Sequence, residues 1–140
     1  MRLIKAPLVL CGCALVPLAP TFARAEAPAP TFTVELEVAD RPARGAPDTL
    51  RLLFTISDRG CSSASARRDP VRYEVTVCRE GGDASAPILG FTVERAENSR
   101  EGNSLKKLRS TARVALGVRR TVGRFGFGDG SITEIAATVR

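Results

Sequence analysis

Apolar and polar residues alternate with a period of two along most of this chain. Phe32, Val34, Leu36 and Val38 fall on one side, and Thr33, Glu35 and Glu37 on the other. That is the pattern of a strand with one buried face. Residues 49–57 repeat it, with Leu50, Leu52, Phe54 and Ile56 inward; Leu53 on the outer side predicts partial cover there. Val71, Tyr73, Val75 and Val77 alternate with Arg72, Glu74 and Thr76, and Leu89, Phe91 and Val93 mark a short fourth strand. In residues 108–118, Ala112, Val114, Leu116 and Val118 oppose Arg109, Thr111, Arg113 and Ala115. Residues 121–127 place Phe125 and Phe127 on one face, and residues 131–139 turn Ile135, Ala137 and Val139 inward.

The breaks between these runs carry turn chemistry. Residues 41–47 hold two prolines and a glycine, and Gly128-Asp129-Gly130 is a hairpin signal. Residues 58–70 read as a long polar loop, 80–87 as a turn, 94–104 as a mobile charged loop, and Arg119-Arg120 as a turn. Helical periodicity covers at most one turn near Leu105. Seven short alternating strands over residues 31–140 predict an all-β fold, an antiparallel β-sandwich of immunoglobulin-like size. The alternative is a partly open β-barrel. The chain has no Trp, and its two domain cysteines stand closer in sequence than the bridge of a true immunoglobulin domain.

The first 30 residues follow a different pattern. Met1 to Lys5 are short and positively charged, residues 6–22 are mostly apolar and uncharged, and Ala23-Arg24-Ala25 has a small-x-small form. This predicts a signal peptide over 1–25 cut between Ala25 and Glu26, then a Pro/Ala spacer over 26–30. The expected destination is the periplasm or the outside of the cell, with no transmembrane segment in the mature chain. The rival reading takes Leu10-Cys11-Gly12-Cys13 as a lipobox that anchors the protein through Cys13.

Export changes what the cysteines mean. Cys11 and Cys13 lie in the leader, so Cys61 and Cys78 remain as one expected disulfide. A simple hairpin of the two strands that bracket Cys61 would leave Cys78 roughly 23 Å away along the sheet. A disulfide needs Cα atoms within about 7 Å. Either the 58–70 loop folds back along the sheet, or the two strands run the same way in different sheets.

Charge and chemistry narrow the function classes. The formal charge is +6, but three positive charges leave with Arg2, Lys5 and Arg24. A mature domain so mildly basic gives no footprint for nucleic acid. There is no His, which removes the usual base for a Ser or Cys nucleophile and the commonest metal ligand. Glu35 with Glu37 and Glu94 with Glu97 read as solvated faces, and Asp129 as a turn residue. No cofactor or metal is expected. The candidate surface is Lys107, Arg109, Arg113, Arg119 and Arg120, expected on one hairpin as an anion or acidic-partner patch. The expectation is an exported non-enzymatic protein that binds a protein or envelope component through the basic hairpin and the 94–104 loop. A small apolar-ligand carrier is the alternative, and an enzyme working without His ranks last.

Overall fold

The computed structural model describes residues 31–100 and 102–140. The expected leader, spacer and Cys13 anchor lie outside the described residues. Eight strands run in chain order: β1 Phe32–Arg41, β2 Asp48–Ile56, β3 Cys61–Arg68, β4 Val71–Gly82, β5 Pro87–Ser99, β6 Gly102–Arg113, β7 Arg120–Gly126 and β8 Ile132–Val139. They form two antiparallel four-stranded sheets, ordered β2-β1-β8-β7 and β3-β4-β5-β6. The fold is a β-sandwich, as the alternation predicts, with eight strands where seven are expected.

Burial follows the alternation closely. Val34, Leu36 and Val38 from one sheet meet Tyr73, Val75, Val77, Leu89, Phe91 and Val93 from the other, all buried. Phe54, Ile56, Ile135, Ala137 and Val139 complete the layer between the sheets. Each wholly buried Val or Leu contributes about 1.5–3 kcal/mol through removal of apolar surface from water, so this layer is what holds the two sheets together.

Four local readings need correction. The loop expected at 58–70 contains β3, whose alternating Ser and Ala residues offer too little polarity contrast to register as a strand. The loop expected at 94–104 is instead the continuation of β5 and the start of β6, paired from Ile88–Arg113 to Ser99–Gly102. The fifth predicted strand stops at Arg113, and Leu116 and Val118 are exposed on the connector. Leu53 has no cover on the outer face, being 69% exposed.

The disulfide tension resolves through β3. The chain turns back after Ile56 and lays Cys61 directly opposite Cys78, where the two are bonded at a Cα separation of 4.0 Å. The strands on either side of β3, β2 and β4, also lie in different sheets.

The two open sides of the sandwich are closed differently. On one, β6 and β7 pack together. Leu108 fills the place a Gly123 side chain would take; a Cβ there would sit 2.0 Å from Leu108 Cδ2. The β7–β8 register shifts between Thr121 and Gly123, the position of this contact, as at a β-bulge. Lys106 Nζ donates to the Gly126 carbonyl at 2.6 Å, and Arg120 Nη1 to the Arg113 carbonyl. On the other side, β2 and β3 are bridged near one end by Arg68, which binds the Asp48 carboxylate and donates to the Thr49 carbonyl at 3.1 Å. Between that bridge and the Ser57–Gly60 turn, Leu50, Leu52 and Ala64 stand only half-buried.

Candidate functional site

The basic residues expected on one hairpin are split between the two sheets, because β6 and β7 belong to different ones. Lys107, Arg109 and Arg113 project outward from β6. Lys107 is already paired with Glu94 on β5. Arg119 lies on the connector and turns to the outer face of the other sheet, 2.8 Å from Glu37. Arg120 opens β7 and is occupied by the Arg113 carbonyl. The five residues do not form one patch.

That second outer face is a lattice of alternating charge. Glu35 meets Arg140 at 2.8 Å, Arg51 lies 3.6 Å from Glu37, and Arg124 reaches Glu134 at 2.8 Å. Glu134 is buried beneath Arg119, Arg124 and Arg41. The carboxylates of Glu35 and Glu37 are thus each paired with arginine, and their side chains are half-buried where a solvated face is expected. Among the described residues, no three acidic or Cys side chains stand together in a way that could hold a metal ion.

A cleft of about 300 Å³ opens at one end of the sandwich. Its lining comes from the last residues of β1 and β5, the first of β2 and β8, and the loops beside them: Asp40, Asp48, Arg95, Glu97, Phe127 and Ile132 are the principal ones. Both ends of the described domain lie at the opposite pole, where Thr33 and Arg140 exchange backbone hydrogen bonds.

The floor of the cleft is a polar knot that ties the two sheets. Tyr73 on β4 donates its hydroxyl to Asp40 on β1, and Thr133 on β8 donates to the other oxygen of the same carboxylate. Arg95 on β5 donates from Nε to the Tyr73 oxygen at 3.3 Å and from Nη1 to Glu97 at 2.7 Å. The inner face of a strand is normally apolar, so Tyr73, Arg95 and Thr133 stand out among buried residues. They are tolerated because each polar group finds a partner. Burial and the hydrogen bond to Asp40 push the Tyr73 phenol up to about 12, so it stays a neutral donor across the physiological range. Burial works against the Arg95 charge, but its bonds to Glu97 and Tyr73 outweigh that and raise its pKa.

The wall is aromatic and the rim rigid. The guanidinium of Arg95 lies 4.6 Å from the Phe127 ring centroid and Lys106 Nζ lies 4.0 Å from it, so two cations brace one ring. Asp129 accepts from Ser131 N at 2.9 Å and from Ser131 Oγ at 2.6 Å. Those bonds hold its carboxyl below the usual range and fix the β7–β8 turn. Asp129 is thus a turn residue, as the sequence suggests, and it also lines the cleft. The Arg68 bond likewise holds the Asp48 carboxyl low.

Of the cleft residues, sequence reasoning gives only Arg95 and Glu97 a binding role, as part of the 94–104 stretch expected to be a contact loop, and it does not bring them together with Asp40, Tyr73, Phe127 or Ile132. The available signal was Arg95, a charged residue that falls on the inner register of the Leu89–Phe91–Val93 run. Searches against protein-family models, curated proteins and solved structures find no match to this chain.

Proposed function

We propose that this is an exported, non-enzymatic binding domain that docks a protein or envelope component at the cleft between Asp40, Arg95 and Phe127. One observation carries the reading: a fully bonded polar floor and a braced aromatic wall meet in an open cleft at the pole opposite both ends of the described domain. Preorganised polar groups beside an apolar wall are the usual make-up of a recognition site. A cleft at the far pole stays accessible whichever end of the chain is tethered. The Cys61–Cys78 bridge and the absence, among the described residues, of a helix long and apolar enough to span a membrane are compatible with export. Arg109 and Arg113 on β6 remain a secondary contact surface. The apolar-carrier reading gains no support, because Phe54, Tyr73, Phe91, Leu36 and Leu89 fill the space between the sheets.

Site-specific photocrosslinking in the native envelope tests this. A photoreactive residue at Ile132, which is 43% exposed on the cleft rim, is expected to give a discrete adduct that Phe127→Ala removes. The same probe at Leu53, on a remote outer face, is expected to give none. Equal adducts at both positions, or none at Ile132, would overturn the proposal.

A further inference from the structure

Each sheet has two edge strands, and three of the four edges carry a device against pairing with another chain. The inward-pointing Lys106 and the outward Lys107 and Arg109 guard β6. β7 has its register shift and lends Arg120 to a β6 carbonyl. On β2, Pro47 precedes the strand and Arg68 occupies the Thr49 carbonyl. On β3 the charges, Arg67 and Arg68, stand only at the strand's end: from Cys61 to Ala66 it holds Cys, Ser and Ala alone, with no proline, bulge or charge.

The register shows which backbone groups β3 leaves free. Arg79 N donates to the Gly60 carbonyl, so that pair is a hydrogen-bonded one, and Cys61–Cys78 next to it is not. By the alternation of antiparallel ladders, Ser62, Ala64 and Ala66 bond to β4. The N–H and C=O groups of Cys61, Ser63, Ser65 and Arg67 therefore face away from it. Among the described residues, β3 pairs only with β4.

We infer that this edge is a self-association surface, and that its occupant is β3 of a second copy of this chain, paired antiparallel about Ala64. In that register every outward-facing residue meets another outward-facing one. Ser63 lies opposite Ser65 of the other copy and Cys61 opposite Arg67, with Ala64 facing its own twin on the inner side. All the central side chains are small, so the strands meet without a clash. Each Arg67 stands roughly 20 Å along the strand from its twin, at ~3.3 Å per residue, so like charges are not opposed. Just past the strand ends, the exposed Arg59 of one copy comes toward the exposed Asp69 of the other, whose Oδ1 already accepts from its own Arg67 at 2.7 Å; the pairing brings a second cation to that carboxylate, and the two-fold repeats it. Half-buried Leu50 and Leu52 border the same seam, placing apolar surface beside the edge. The product is one continuous eight-stranded sheet across two copies, with both distal clefts left open.

Sedimentation equilibrium over a wide range of concentrations, on the disulfide-intact domain, tests the inference. The wild type is expected to show a reversible monomer–dimer equilibrium. S63K/S65K sets lysine opposite lysine twice and is expected to raise the dissociation constant at least about tenfold. S63E/S65E does the same with acids. Mixing the two variants is expected to restore a dimer made of one of each, an outcome that misfolding could not produce. Ser65→Pro removes an edge donor that the β4 ladder does not use, and is expected to abolish dimers while the monomer stays folded. A wild type that remains monomeric up to millimolar concentration, a dimer indifferent to these changes, or a mixture that stays monomeric would each overturn the inference. A foreign strand as the true occupant would appear as the first of these outcomes.

Discussion

The two open sides of this sandwich solve one problem in different ways. At the β6–β7 seam the sheets touch: Leu108 occupies the space over Gly123, and Lys106 and Arg120 bond carbonyls across the gap. At the β2–β3 seam Leu50, Leu52 and Ala64 pack half-buried against the core, Arg68 bridges one end, the Ser57–Gly60 turn lies at the other, and β3 is held from its other side by the disulfide to β4. Both seams hold half-buried apolar side chains and charged bonds; what differs is that a side chain fills the space over a glycine at the first, while at the second the edge strand is fixed by a disulfide within its own sheet. The contrast also bears on function, since the first seam is guarded against other chains and the second leaves β3 accessible.

Removing the disulfide should have the largest effect. Cys61→Ser with Cys78→Ser opens a loop of sequence separation 17. In the chain-entropy account this costs about 3 kcal/mol of stability, read from the denaturant midpoint. Amide exchange should rise first along β3, the edge strand that the bridge ties to β4. If β6 amides lose protection as early as those of β3, the two seams are not independent.

Next in size is Gly123→Val. The added side chain collides with Leu108 and should destabilise the domain by about 1–3 kcal/mol. In a Leu108→Ala background the same change should cost much less, and a double-mutant cycle measures the coupling. Additive losses would show that Leu108 does not seal this seam.

The Tyr73–Asp40 knot crosses between the sheets near the cleft, and Tyr73→Phe should cost about 1–2 kcal/mol by leaving Asp40 short of a donor. It should also change the alkaline limb. The folded Tyr73 has its pKa raised to about 12 from an unfolded value near 10. The folded state therefore holds the proton longer, and this contribution is intact below pH 10 and lost as pH rises to about 12. Unfolding curves across that window should lose part of their slope in Tyr73→Phe. An unchanged slope would remove Tyr73 from the account.

Arg68→Ala should have the smallest effect. Its partner Asp48 is solvent-exposed, and exposed ion pairs contribute little. Stability is expected to stay within measurement error, while added salt mimics the mutation. A clear loss of stability would mean that the β2–β3 seam depends on its charge bridge more than on its disulfide.

Much of the fold was legible because period-two alternation records a difference between two faces. β1, β4, β5 and β8 each pair an apolar inner face with an outer face of another character, and the inner residues named from sequence in those strands are buried or half-buried. The cysteine pair was legible as well, since only two of the four cysteines lie outside the expected leader. The cleft was not. Asp40, Tyr73, Arg95 and Thr133 come from four strands in both sheets, and nothing local in the chain says that a strand's end will face another strand's end. The expected basic hairpin failed for a related reason: adjacency in sequence does not place β6 and β7 in one sheet.

By itself, then, the sequence determined the all-β class, the inward residues of the well-contrasted strands, the turns marked by proline or glycine and the identity of the disulfide. These depend on local composition and on period. Tertiary structure alone decided that residues 61–68 form a strand, that β5 and β6 continue through a charged stretch, and that the basic residues part company between two faces. A Ser/Ala edge strand has no face to contrast. Its conformation comes from the ladder it makes with β4, a pairing whose stability belongs to neither segment alone.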